Sequence, residues 1–475
     1  MKLQLQDVSD REFELMHEAI LQLLSEFGVL FEDEPARTLL IQAGISVDDN
    51  GRVHLSPQFV ESTLGQVPRD GFTMYGRDES RTLRVAVDAM SFRPSTGAPF
   101  ILDYSTKRRR EATAEDARRM ILLTDALEGY DMVHAVVSPR DVPGSRGNVR
   151  LFAMSHRYSL KPSDVTVMTA REVAAIAKIC SAIRGGERQL REKPLTAIDV
   201  AMITPLRCTG EQTQAFIECA KRGLPVEVLT SPAMGVTAPV TLAGSVAVAL
   251  AEVVAGLCLV YLIHPGLGII NTARVSPTNM HTTAYNYGAP ELGMGSVLAA
   301  ACSARYHIPS NLYGFGTVAE LPGGQASTEK IFSALPLALG RAHMITGGGI
   351  LANALVTSPE QLVIDDEAIR FLRRICKPIA IDEESLAVDV FINAMRDEGT
   401  LLADEHTLKH VRAGDLLDAG LGQWASPTDG EKQGFPDLVD RAHAKVEQIL
   451  ASHSVAPWDQ RLEKEIDGII NECEL

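Results

Sequence analysis

The side chains best equipped for chemistry cluster near the ends of short β-branched runs. Phe92 and Arg93 lie in the first such run and His134 in the second, Asn271 and Arg274 lie in the sixth, and Tyr313 and Phe315 lie in the seventh. The stretch HTTAYNYGAPE after the sixth run adds His281, Tyr285, Tyr287 and Glu291. Tyrosine and phenylalanine faces with a carboxylate nearby, Glu291 or Glu320, suit a quaternary ammonium, whose charge has no N–H to donate and must be met by rings. Arg93 or Arg274 can grip a carboxylate in a planar fork. Each ring has an equal claim to be core packing, and each arginine to be half of an internal salt bridge.

Other chemistries find less support in the same runs. None carries a Lys for a Schiff base. No H-x-H or carboxylate set at their ends follows metal-ligand logic, and no G-x-S-x-G, P-loop or dinucleotide fingerprint stands between a strand and a helix. The run TGGG at 346–349 either cradles a phosphate on backbone amides or supplies glycines where a bulky partner comes close. Glu211 after the fourth run and Glu320 after the seventh keep a glycosidase-like reading open.

Eight runs position these residues, over 90–97, 132–139, 164–169, 196–205, 225–232, 268–276, 311–316 and 342–349. Helical patterns such as AREVAAIAKICSAIR and GEQTQAFIECAKRG separate them. Eight strand–helix units predict an α/β chain with a (β/α)8 TIM barrel, whose chemistry belongs at the C-terminal ends of the strands. We expect an N-terminal helical segment over 1–80, the barrel over 81–375, and a C-terminal helical tail over 376–475 packed on it. The piece PFILDYSTKRRREA after the first run predicts a hairpin over one end, with Arg108 to Arg110 as a solvated turn.

Composition bounds the rest. Of 475 residues, 45% are hydrophobic and 22% charged, as in a globular protein with a sizeable core. Forty-five Lys and Arg against 61 Asp and Glu give a net charge of −16, which disfavours a nucleic-acid binder. Seven cysteines with no C-x-x-C pair, and an acidic N-terminus in place of a signal sequence, predict a reduced, cytoplasmic chain. The apolar stretch 238–263 is long enough to span a membrane, but Glu252 at its middle and many small residues predict a buried core helix and no membrane association.

Several motifs in series resemble the trimethylamine methyltransferase family: TAPVTLAGSVAVALAEVVAGL from Thr237, YGAPE at 287–291, QASTEK at 325–330, SPEQLVIDDE at 358–367 and DEHTLKHVR at 404–412. Founding members carry pyrrolysine and demethylate trimethylamine. This chain shows only standard residues and so is similar to the branch lacking pyrrolysine, whose assigned members act on quaternary amines such as glycine betaine, proline betaine or carnitine-type compounds. The resemblance implies methyl transfer to the cobalt of a cob(I)alamin-type corrinoid on a separate cognate protein, with no tightly bound cofactor and no protein-held metal. It also implies a counterpart of pyrrolysine within 313–320, an assembly of identical copies, and glycine betaine as first substrate. A quaternary ammonium leaves as a neutral amine, so orientation and desolvation carry the reaction and a dedicated acid is not required. No D-x-H-x-x-G corrinoid motif occurs in the chain.

Overall fold

The computed structural model describes residues 1–473 apart from 96, 143–146, 341, 397–398, 418–419 and 423–426. Seven parallel strands form its centre: β1 (Ser91–Pro94), β2 (Ser163–Val167), β3 (Thr196–Ala201), β4 (Val226–Thr230), β5 (Ile269–Ala273), β6 (Asn311–Tyr313) and β7 (Met344–Gly348). They pair as two parallel sheets, β2-β3-β4-β5 and β6-β7-β1. A single parallel bridge between Asn271 and Ser310 joins β5 to the start of β6.

The second expected strand, 132–139, is not a strand. It makes only isolated parallel bridges, Val133 with Ser163 and Val137 with Ala98. The physical reason is a side chain in a ladder position: Phe92 N donates to the Asp131 carboxylate at 2.7 Å, where a continuous ladder would offer a carbonyl. The architecture is therefore mixed α/β with parallel sheets in which a single eight-stranded ladder is absent among the described residues.

Helices follow the strands as the alternation predicts. Thr169 and Thr209, just beyond β2 and β3, cap the helices Ala170–Arg184 and Gly210–Arg222 by accepting backbone N–H groups. Val165, Val167, Ile198, Val200, Val226 and Val228 turn outward into the core beneath these helices. The helix Leu242–Tyr261 is long and apolar enough to cross a membrane, yet it is buried inside the fold. Its Glu252 carboxylate accepts Leu206 N at 2.6 Å, the Thr204 hydroxyl at 3.0 Å and the Thr230 hydroxyl, which satisfies a charge set among apolar side chains.

The N-terminal segment holds more than helices. Val29–Phe31, Ser46–Val47 and Arg52–His54 form a small sheet with Arg207–Cys208. Phe72–Tyr75 and Thr82–Val85 form an antiparallel hairpin, so residue 80 lies in its turn. Met74, Leu83 and Val85 of the hairpin pack against Met132, Ala197, Ile270 and Met344 at the strand starts, closing the N-terminal end of the sheets. The piece after β1 is the expected hairpin, Phe100–Asp103 against Arg108–Glu111, with an exposed arginine strand. It is held to the loop after β7 by Val356–Thr357. In the tail, Leu438–Ser452 packs on Pro359–Cys376 and Gln460–Glu472 on Ala170–Arg184.

Candidate active site

Alternate residues of each strand face the interior of the sheets, because side chains of a strand alternate between its two faces. Above the apolar layer at the strand starts lies a polar one, made of Arg93, His134, Asp164, Asp199, Glu227 and Asn311, all buried. Asp164 takes Arg93 at 2.8 Å on one oxygen and His134 Nδ1 at 2.8 Å on the other. Arg93 Nε donates to Asn311 Oδ1 at 3.2 Å, and Asn311 Nδ2 donates to Glu227 Oε2 at 2.7 Å. Thr272 donates to the same Glu227 oxygen at 3.2 Å, and Thr166 to Asp199 Oδ2 at 3.0 Å.

Titratable side chains are concentrated in this layer. Three neighbouring strands each contribute one carboxyl, and β3 and β4 set Asp199 directly opposite Glu227. Burial, with the Asp164 charge adding to it, pushes the Glu227 carboxyl up to about 8. Burial also raises Asp199. Burial opposes the charge of Asp164 as well, but Arg93 and His134 hold that carboxyl below its ordinary value. The missed signal was one lone carboxylate in each of three successive apolar runs, SDVTV, TAIDVA and VEVLT.

Above the polar layer are Ser95, Thr166, Leu229, Arg274 and Tyr313. Arg274 lies just past β5 with its guanidinium 4.9 Å from the centre of the Tyr313 ring. Its Nε and Nη2 are buried without a hydrogen-bond partner among the described residues. Burial disfavours its charge, but Tyr313, Asp199, Tyr287 and Glu227 outweigh that and raise its affinity for the proton. Arg274 lines a cavity of about 400 Å³ with His134, Asp164, Thr166, Met168 and Leu229. Tyr313 bonds Ser95 Oγ at 2.8 Å and lies 5.3 Å from Tyr287, on which Tyr285 stacks at 5.7 Å. Three tyrosines thus run from solvent, where Tyr285 is exposed, inward to the arginine.

The other residues singled out from the sequence lie elsewhere. Phe92 and Phe315 meet edge to face at 6.4 Å in the outer core, away from the tyrosines. Phe92 follows from alternation, since its neighbour Arg93 faces inward. For Phe315 the cause is a bulge: Gly314 N and Phe315 N both donate to Thr346 O, which breaks the alternation after Tyr313. Arg93 pairs with Asp164 and donates to Asn311, with Nη2 left without a partner among the described residues, and is the internal salt bridge of the two arginine readings. Glu291 sits partly exposed in the first turn of Pro290–Arg305, and His281 is exposed. Glu320 is exposed and lines a separate cavity with Leu102, Lys107, Arg108 and Arg109, which Glu211 does not reach. The TGGG run serves close approach: a Cβ on Gly348 would meet the Tyr130 hydroxyl at 2.5 Å. Its Gly349 amide is already spent on Asp365 at 2.7 Å.

The family model for trimethylamine methyltransferase (MTTB) matches residues 3–473. A trimethylamine methyltransferase MttB of Desulfitobacterium hafniense is 26% identical over 470 residues, covering 98% of this chain and 93% of that protein. A glycine betaine methyltransferase from another strain of the species is 27% identical over 476 residues, covering 98% and 96%. Among solved structures, the Methanosarcina barkeri monomethylamine methyltransferase MtmB superposes with a TM-score of 0.52 at 12% identity, covering 98% of this chain and 88% of that one, a likeness of fold. Matched by this family model over residues 3–473, the chain belongs to the trimethylamine methyltransferase family.

Proposed function

We propose that this chain moves a methyl group from glycine betaine to the Co(I) of a corrinoid carried by a separate protein. The observation that carries the reading is Arg274, a buried guanidinium with two unpartnered N–H positions beside a cavity and a tyrosine. A carboxylate is the group that fills such a fork. The rings of Tyr285, Tyr287 and Tyr313 supply the faces for a trimethylammonium head. Asp199, whose Oδ1 has no partner among the described residues, is its acidic complement, in place of Glu291 and Glu320 at the surface.

In this reading the two parallel sheets and the 132–139 segment close into a (β/α)8 barrel with the site at its mouth. The loops after the strands carry Met168, Ile203, Val240, Met280, Leu321 and Leu355, each 39–60% exposed. An apolar ring around a mouth is a surface for another molecule, and it suits the flat face of a corrin presented by its protein.

The test is a coupled assay with the corrinoid protein reduced to Co(I), offering glycine betaine, proline betaine, carnitine and trimethylamine in parallel. Methylation with glycine betaine above the others is the expected result, and the protein alone is expected to be colourless. Turnover of trimethylamine alone, or cobalamin copurifying in equal amount with the chain, overturns the reading.

A further inference from the structure

The polar layer holds a feature that displacement of a methyl group from a quaternary ammonium does not use. Glu227 presents its two oxygens differently: Oε2 accepts from Asn311 and Thr272, while Oε1 has no partner among the described residues. An oxygen that accepts two donated bonds is the unprotonated one, so the carboxyl proton belongs on Oε1. Asp199 lies opposite on β3, also with one oxygen unpartnered. Two adjacent buried carboxyls do not both ionise readily, because like charges at close range in a low dielectric repel. The layer above holds Leu229, two residues along β4 on the same face, and Arg274, both lining the cavity.

Resting on the methyl-transfer reading, we propose that Glu227 and Asp199 hold one proton between them and that this proton passes from Glu227 to the amine nitrogen freed by methyl transfer. The C–N bond breaks as Co(I) supplies the electron pair for the new Co–C bond, and the original C–N pair stays on nitrogen. Starting from glycine betaine, the product is N,N-dimethylglycine. The Glu227 O–H bond then breaks and an N–H bond forms, leaving a carboxylate that solvent reprotonates before the next turnover. The consequence is direction: a protonated product nitrogen has no lone pair with which to take the methyl group back. The charged or titratable groups facing Glu227 are Asp164 from β2, Asp199 from β3, Arg93 from β1 and Arg274 from the end of β5. Among these groups Glu227 is the neutral member, consistent with its carboxyl being pushed up to about 8.

Calorimetry tests this without turnover. Binding of dimethylglycine and of glycine betaine is measured at pH 7 in phosphate and in Tris, whose protonation enthalpies differ. Dimethylglycine brings its own N–H, so Glu227 must give up its proton to accept that hydrogen. About one proton released per site is expected for dimethylglycine and about none for glycine betaine, by linkage. Release should fade as the pH is raised past about 8, where Glu227 is already a carboxylate. Glu227→Gln should abolish the difference, and the wild-type pH series stands if that variant does not fold. Equal proton counts for the two ligands, or release that survives in Glu227→Gln, overturns the proposal alone. Failure of glycine betaine to bind at all removes the functional reading and this proposal with it.

Discussion

The Arg274 guanidinium lies over the Tyr313 ring, 4.9 Å from its centre, with two of its nitrogens unpartnered among the described residues. A cation packed on an aromatic face is held in place while its in-plane N–H groups stay available. Arg274→Ala should therefore weaken glycine betaine binding about tenfold to a hundredfold, the worth of a charge-assisted hydrogen-bonding pair. Tetramethylammonium, which has no carboxylate, should bind unchanged. Calorimetry with both ligands decides it: equal losses with a lowered melting temperature mean that Arg274 is structural.

The tyrosine and phenylalanine positions separate cleanly. Tyr287→Ala should cost about fivefold to thirtyfold in affinity for the ammonium, at roughly 1–2 kcal/mol for a desolvated ring, and Tyr285→Ala, at the exposed end, about twofold to fivefold. Phe92→Ala or Phe315→Ala, in the outer core, should cost about 3–5 kcal/mol of stability. Affinity in the protein that remains folded should change little. Denaturant titration and ligand binding on the four variants read both quantities.

The apolar ring at the strand ends makes a prediction about the partner. Met280→Glu or Leu321→Glu adds a charge to an exposed position, so folding should be unaffected. The concentration of corrinoid protein needed for half-maximal rate should rise several-fold while glycine betaine affinity stays constant. A parallel change in both quantities argues against docking at this rim.

His156 predicts the acid limit of the fold. It is fully buried with Nε2 2.9 Å from the Ser163 hydroxyl, and burial pushes it down to about 3. The unfolded chain has a histidine near 6.5 and binds this proton more readily than the folded one, so stability is present above 6.5 and is lost as pH falls toward 3. The slope contributed by one proton is at most about 1.4 kcal/mol per pH unit. His156→Gln should flatten melting temperature against pH across this window. An unchanged profile means that His156 is not what limits the fold in acid.

Much of this was written in the chain's local pattern. Runs of β-branched residues alternating with helical periodicity place all seven parallel strands within a few residues, because backbone pairing and apolar alternation are local properties. Glu252 and the small residues around it marked Leu242–Tyr261 as a core helix, and the hairpin after β1 was legible from its extended arms. Tyr285 and Tyr287, singled out together in one stretch, stack on each other. What the sequence by itself left open was which way each strand faces. Phe92 and Arg93 must point to opposite sides, but only the closed packing of sheet against helix decides that the ring goes out and the guanidinium in. The bulge at Gly314 sends Phe315 away from Tyr313 through hydrogen bonds to Thr346, a strand distant in sequence. The carboxyls of Asp164, Asp199 and Glu227 lie 28 to 63 residues apart in the chain. Register between neighbouring parallel strands alone brings them into one buried layer, where proximity and lost solvation give them chemistry that none has in isolation.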